Sequence, residues 1–89
     1  MNDIERSIQV LLVDDEEYIL KSLQRLLMEE EFEVHTASSA EQGVTALKHL
    51  DNVGLIVSDQ RMPGMNGSEF LQYCREATPD ALRVLLTGY

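Results

Sequence analysis

The stretch Ile8-Gln9-Val10-Leu11-Leu12-Val13-Asp14-Asp15 decides how this chain is read. Its first six residues are aliphatic apart from Gln9, and a short run of this kind suits a strand buried on both faces of a parallel sheet. Two carboxylates end it. The next segment has a different period: between Glu16 and Glu30, Ile19, Leu23, Leu26 and Leu27 fall at i, i+4, i+7 and i+8. Two glutamates open that segment, where a helix dipole favours negative charge. A strand, an acidic stop and a helix form the first unit.

The same alternation repeats to the end of the chain. Phe32 to Ala37 switches between apolar and polar residues, the signature of a half-exposed strand, and so belongs at a sheet edge. Ser38-Ser39-Ala40-Glu41 reads as a capping box for a second helix through Ala40, Val44 and Leu47 toward His49-Leu50, with Gly43 as its weak point. Gly54 to Ser58 is a third strand, stopped by Asp59 and by the turn formers Met62-Pro63-Gly64-Met65-Asn66-Gly67. A third helix runs from Ser68 to about Ala77, turns Phe70, Leu71 and Cys74 inward and is closed by Pro79. Leu82 to Leu86 is a fourth strand, and Thr87-Gly88-Tyr89 comes after it. Strands alternating with helices imply right-handed crossovers and a doubly wound α/β sheet covered on both sides.

Composition narrows the function. At 89 residues the chain is one domain, small enough to bury only about 60–65% of its unfolded surface. Its 44% hydrophobic and 26% charged content is that of a globular protein. A formal charge of −9, from 16 acids against 7 bases, repels nucleic-acid phosphates and anionic membrane surfaces, so neither is an expected partner. No apolar run approaches the roughly 20 residues that span a bilayer, and Met1-Asn2-Asp3-Ile4-Glu5 lacks the basic start of a secretion signal, so a cytoplasmic protein is expected. Cys74 has no second thiol to pair with and reads as a small core residue.

Doubly wound sheets bind ligands beyond the carboxyl ends of their strands. Three such ends are polar here: Asp14 and Asp15, then Asp59, then Thr87. Singly, each has an ordinary explanation. Asp14 or Asp15 caps a helix, Asp59 sits in a turn, and the Thr87 hydroxyl bonds nearby backbone. Jointly they point elsewhere. With the first and third strands as neighbours, three carboxylates converge, raise one another's pKa and call for a cation. Oxygen-only ligands with positions left for water and a phosphate oxygen favour Mg²⁺. His35 and His49 lie on an edge strand and at a helix end, apart from these groups, and the methionines, Met62 and Met65 beside the proline turn included, are assigned packing.

Val10-Leu11-Leu12-Val13-Asp14-Asp15-Glu16, Val57-Ser58-Asp59-Gln60-Arg61-Met62-Pro63-Gly64-Met65-Asn66-Gly67 and Leu85-Leu86-Thr87-Gly88 resemble the signature segments of response regulator receiver domains. The resemblance implies a flavodoxin-like parallel sheet in the order 2-1-3-4. It further implies that Asp59 is the phosphoacceptor, forming an acyl phosphate with a phosphoryl group from a sensor histidine kinase. Asp15, Asp59 and the Arg61 backbone carbonyl would be direct Mg²⁺ ligands, with Asp14 acting through a metal-bound water. Thr87 would hydrogen-bond the phosphoryl group, and Gly88 would leave it open to approach. Such a chain is a signalling domain that phosphorylates itself at most, and not an enzyme.

The family pattern continues with a fifth strand ending in a lysine and a closing helix. On that pattern, residues 1–89 are a single receiver domain truncated after the fourth strand, lacking the fifth strand and last two helices, and neither Lys21 nor Lys48 replaces the lysine. The loss of one cation at the site corresponds to about 10²–10³ in rate if it resembles the loss of one oxyanion-hole donor. Leu82 to Leu86 then forms an apolar sheet edge, expected to drive self-association, and Leu20 or Tyr18 is expected at an uncovered surface. The alternative function is a non-phosphorylatable interaction or dimerisation module with the same fold. A haloacid-dehalogenase-like phosphatase is disfavoured, because Arg61 stands where that family requires a second Asp.

Overall fold

The computed structural model describes residues 8–87 of the chain. The elements run in the order β1 (Ile8–Val13), α1 (Glu17–Leu27), β2 (Phe32–Ala37), α2 (Ala40–Leu47), β3 (Val53–Asp59), α3 (Gly67–Ala77) and β4 (Leu82–Leu86). All strand pairs are parallel and the sheet order is β2-β1-β3-β4, as the sequence leads one to expect. No helix among the described residues is long and apolar enough to cross a membrane.

The aliphatic run of β1 takes its central place through burial on both faces. Leu11 and Val13 join Ile56, Ala40, Leu47, Phe70 and Cys74 in one core layer, whereas Val10 and Leu12 pack with Leu20 in the other. Each such side chain contributes on the order of 1.5–3 kcal/mol when fully removed from water, so two thin layers hold the fold. The outer strands are correspondingly wetter, and Leu82 on β4 is 65% exposed. Burial pushes the Cys74 thiol up to about 11, against the pull of the Arg83 charge.

Several elements differ in detail from the sequence reading. Helix α1 stops at Leu27, and its buried side is centred on Leu20, with Leu23 and Leu27 beside it, while Leu26 is 73% exposed. Leu20 is therefore a core residue, and of the pair expected at an uncovered surface only Tyr18 is exposed. The cap of α2 lies one residue later than Ser38: Ser39 Oγ accepts from the Gln42 N–H at 3.1 Å, and Gln42 Oε1 accepts from the Ser38 N–H at 2.9 Å. Helix α3 begins with a capping box between Asn66 and Glu69, a pairing hidden in the sequence by the run of turn formers.

Two glycines are required by close approach. Gly43 lets α2 lie against the Phe70 ring, where a Cβ would come within 2.8 Å of the ring tip, which accounts for the weak helix former at that position. Gly67 opens α3 directly above the end of β3, and a Cβ there would sit 2.2 Å from the Asp59 carbonyl oxygen. No side-chain rotation relieves a clash with main chain. Gly67→Ala is expected to lower stability by about 2–4 kcal/mol, read as a lower denaturant midpoint at unchanged slope.

Candidate metal and phosphoryl site

Strand β1 delivers Asp14 and Asp15 to the carboxyl edge of the sheet, and β3, hydrogen-bonded alongside it, delivers Asp59 to the same edge. Asp14 is nearly buried at 5% exposure. Its N–H donates to the Ala37 carbonyl at 3.1 Å, continuing the β1–β2 ladder, and its Oδ1 accepts from the Glu16 N–H at 2.9 Å where α1 begins. Glu16 is the residue that precedes the first turn of α1, and no side chain caps that helix, so Asp14 steadies the entry to α1 without serving as its cap. Asp59 closes β3 opposite Leu86 of β4, and Thr87 is the next residue along.

Carboxylate oxygens of Asp14, Asp15 and Asp59 lie within 4.8 Å of one another. Oxygens this close could share one small divalent ion, some directly and others through a bound water. The donor set is all oxygen and anionic, which fits a hard divalent cation. Burial raises the Asp14 pKa, and although the Glu16 N–H works the other way, the charges of Asp59, Asp15 and Glu16 add to the rise. In the absence of a cation the arrangement is electrostatically strained.

The cluster lines one side of an open cavity of about 460 Å³, with Arg61 and Thr87 also on its walls. Every residue singled out for the site from the sequence therefore borders one space, except Gly88, which lies outside the described residues. Four further wall residues, Glu16, Tyr18, Ile19 and Leu86, were not singled out for the site. Glu16 adds a fourth acid, whose position directly after the acidic pair was the available signal, and its carboxylate beside Tyr18 holds the phenol pKa up. His35 lies away from this space: its Nε2 is 2.7 Å from Gln9 Oε1 and 3.8 Å from Glu33. Met62 is buried in the core layer and Met65 packs against it.

Comparison with known proteins decides the family. The response regulator receiver domain profile matches residues 10–89. The chain belongs to the response regulator receiver domain family. It is 46% identical over 80 residues to the hydrogenase transcriptional regulatory protein HoxA of Cupriavidus necator, covering 90% of this chain and 16% of that protein. The signal receiver domain of an HD domain-containing protein from Pseudomonas fluorescens superposes with a TM-score of 0.89 at 36% identity, covering 94% of this chain and 66% of that one. Response regulator TrrA from Thermotoga maritima, solved in complex with Mg²⁺-BeF, gives a TM-score of 0.84 at 34% identity, covering 92% of this receiver and 70% of that chain.

The raised Asp14 pKa has a stability consequence whose sign is fixed. A carboxyl titrating higher in the folded state than its ordinary 3.8 contributes stability that is complete below that value and lost as pH rises through the folded pKa. Asp14→Asn removes the charge but keeps an oxygen for the Glu16 N–H. Metal-free Asp14→Asn is expected to be about 0.5–2 kcal/mol more stable than the parent at neutral pH, with a flatter decline in melting temperature from acid to neutral pH in EDTA.

Proposed function

We propose that this receiver domain accepts a phosphoryl group on Asp59 from a sensor histidine kinase with the help of Mg²⁺, acting as a cytoplasmic signalling module and not as an enzyme. The observation that carries the reading is the convergence of three strand-end carboxylates within 4.8 Å in a cavity shared with Thr87 and Arg61. Asp15, Asp59 and the Arg61 main-chain carbonyl would hold the ion directly, with Asp14 behind a bound water. When bound, Mg²⁺ supplies the charge cancellation that lets an anionic nucleophile meet an anionic donor.

The chain's own groups supply the rest. An Asp59 carboxylate oxygen attacks phosphorus in line, the P–N bond to the kinase imidazole breaks with its electron pair leaving on nitrogen, and an acyl phosphate results. β3 holds the nucleophile from behind, because Asp59 is still paired in the ladder with β4. The Thr87 hydroxyl, one residue beyond β4, donates to a phosphoryl oxygen after transfer. Positioning of this kind accounts for much of the rate when little covalent machinery is present.

A second reading, a module that associates without phosphorylation, draws on the β4 edge, where Leu82 is 65% and Leu85 36% exposed. Self-association through that edge is compatible with both. Incubation of the chain with a small phosphodonor is expected to add one phosphoryl group by mass spectrometry, in Mg²⁺ but not in EDTA and not in Asp59→Asn. An unchanged mass in Mg²⁺ with no response to beryllofluoride would leave the association module.

A further inference from the structure

Helix α3 starts one short loop after Asp59, and the way its first turn is satisfied singles out a residue with no assigned role. A helix leaves four N–H groups at its start without partners inside the helix. Here all four are met: Asn66 N–H by Glu69 Oε1 at 2.9 Å, Gly67 N–H by the Gln60 carbonyl at 3.0 Å, Ser68 N–H by Gln60 Oε1 at 2.8 Å, and Glu69 N–H by Asn66 Oδ1 at 2.9 Å. Half of them go to Gln60. Ser68 Oγ adds a bond to the same Gln60 Oε1 at 2.9 Å, and the Gln60 N–H donates to the Leu86 carbonyl at 3.1 Å. Because a main-chain N–H only donates, the side-chain atom facing Ser68 is an oxygen.

Gln60 lies between Asp59 and Arg61, the residues proposed to face the ion through a side chain and a carbonyl. Its bonds run in three directions: to β4 through Leu86, to the first residue of α3 through its carbonyl, and to the second residue of α3 through its side chain. Gly67, at the same helix start, leaves room for the Asp59 carbonyl, which a Cβ at that position would meet at 2.2 Å. The peptide units on either side of Gln60 are therefore tied to two elements. We infer that Gln60 is a positioning residue, which sets the Asp59 carboxylate and the Arg61 carbonyl by using its side chain as a cap for α3. The inference rests on the proposed reading of the pocket as a Mg²⁺ site.

Outer residues that orient metal ligands typically contribute 10- to 100-fold to affinity. Isothermal titration of the metal-free chain with MgCl₂, together with chemical denaturation, tests the assignment on the parent, Gln60→Met, Gln60→Asn and Gln60→Glu. Gln60→Met keeps the length without the oxygen and is expected to bind Mg²⁺ about tenfold more weakly than the parent. Gln60→Asn, with its oxygen drawn back, should lose affinity in the same direction by less, and it serves if the methionine variant does not fold. Gln60→Glu keeps an oxygen toward Ser68 and is expected to bind at least as tightly as the parent. A merely structural role predicts lower stability with unchanged Mg²⁺ affinity in the methionine or asparagine variant, and that result overturns the assignment, as does a glutamate variant as weak as methionine. A parent that binds no Mg²⁺ overturns the site reading itself, an outcome distinct from a parent that binds and variants that match it.

Discussion

Three carboxylates forced together at the end of a small sheet are the constraint around which the rest of this receiver is organised. Like charges within 4.8 Å repel, and one of them, Asp14, is almost removed from water, so the pocket weakens the folded chain in the absence of a cation. Only a firm scaffold can hold them. The scaffold is β1, whose Val10, Leu11 and Leu12 are fully buried, placed directly beside β3 so that backbone hydrogen bonds, and not side-chain packing alone, set the spacing of the acids. Any mode of binding that neutralises the cluster therefore also stabilises the fold, since both draw on the same strand ends.

The carboxyl edge is held from several sides. Asp14 is tied to β2 through the Ala37 carbonyl and to the entry of α1 through the Glu16 N–H, while Asp59 is paired with Leu86 and has Gly67 close against its carbonyl. Small residues and main-chain bonds fix these positions where bulky side chains would clash. At the far end of β4, Leu82 is paired with Leu55 and leaves its side chain largely in water.

Much of this was readable in the residues. The period of the apolar positions marks four strands and three helices, and the acids at the strand ends are the ones that the fold brings together. What escaped were features that depend on three-dimensional neighbours. Leu20 outranks Leu26 in α1 because the sheet fixes which side of the helix faces inward, a rotation that a broad apolar stripe leaves undetermined. The caps of α2 and α3 were displaced or missed because Ser38-Ser39 and Asn66-Gly67-Ser68 offer adjacent candidates, and only the turn geometry chooses among them. Gly43 looked like a defect in a helix and is a contact surface for Phe70. Tyr18 carried no signal, since its place on the cavity wall follows from where α1 starts beside the strand ends.

The placement of Cys74 separates two kinds of cellular chemistry. Fully enclosed on the core side of α3, with burial pushing its thiol up to about 11, it presents almost no thiolate to peroxides or electrophiles. The lone cysteine sulfur of the sequence is thus kept out of oxidative chemistry while the domain stays closed. Oxidation of the closed domain is left instead to the thioether of Met28, which is 73% exposed.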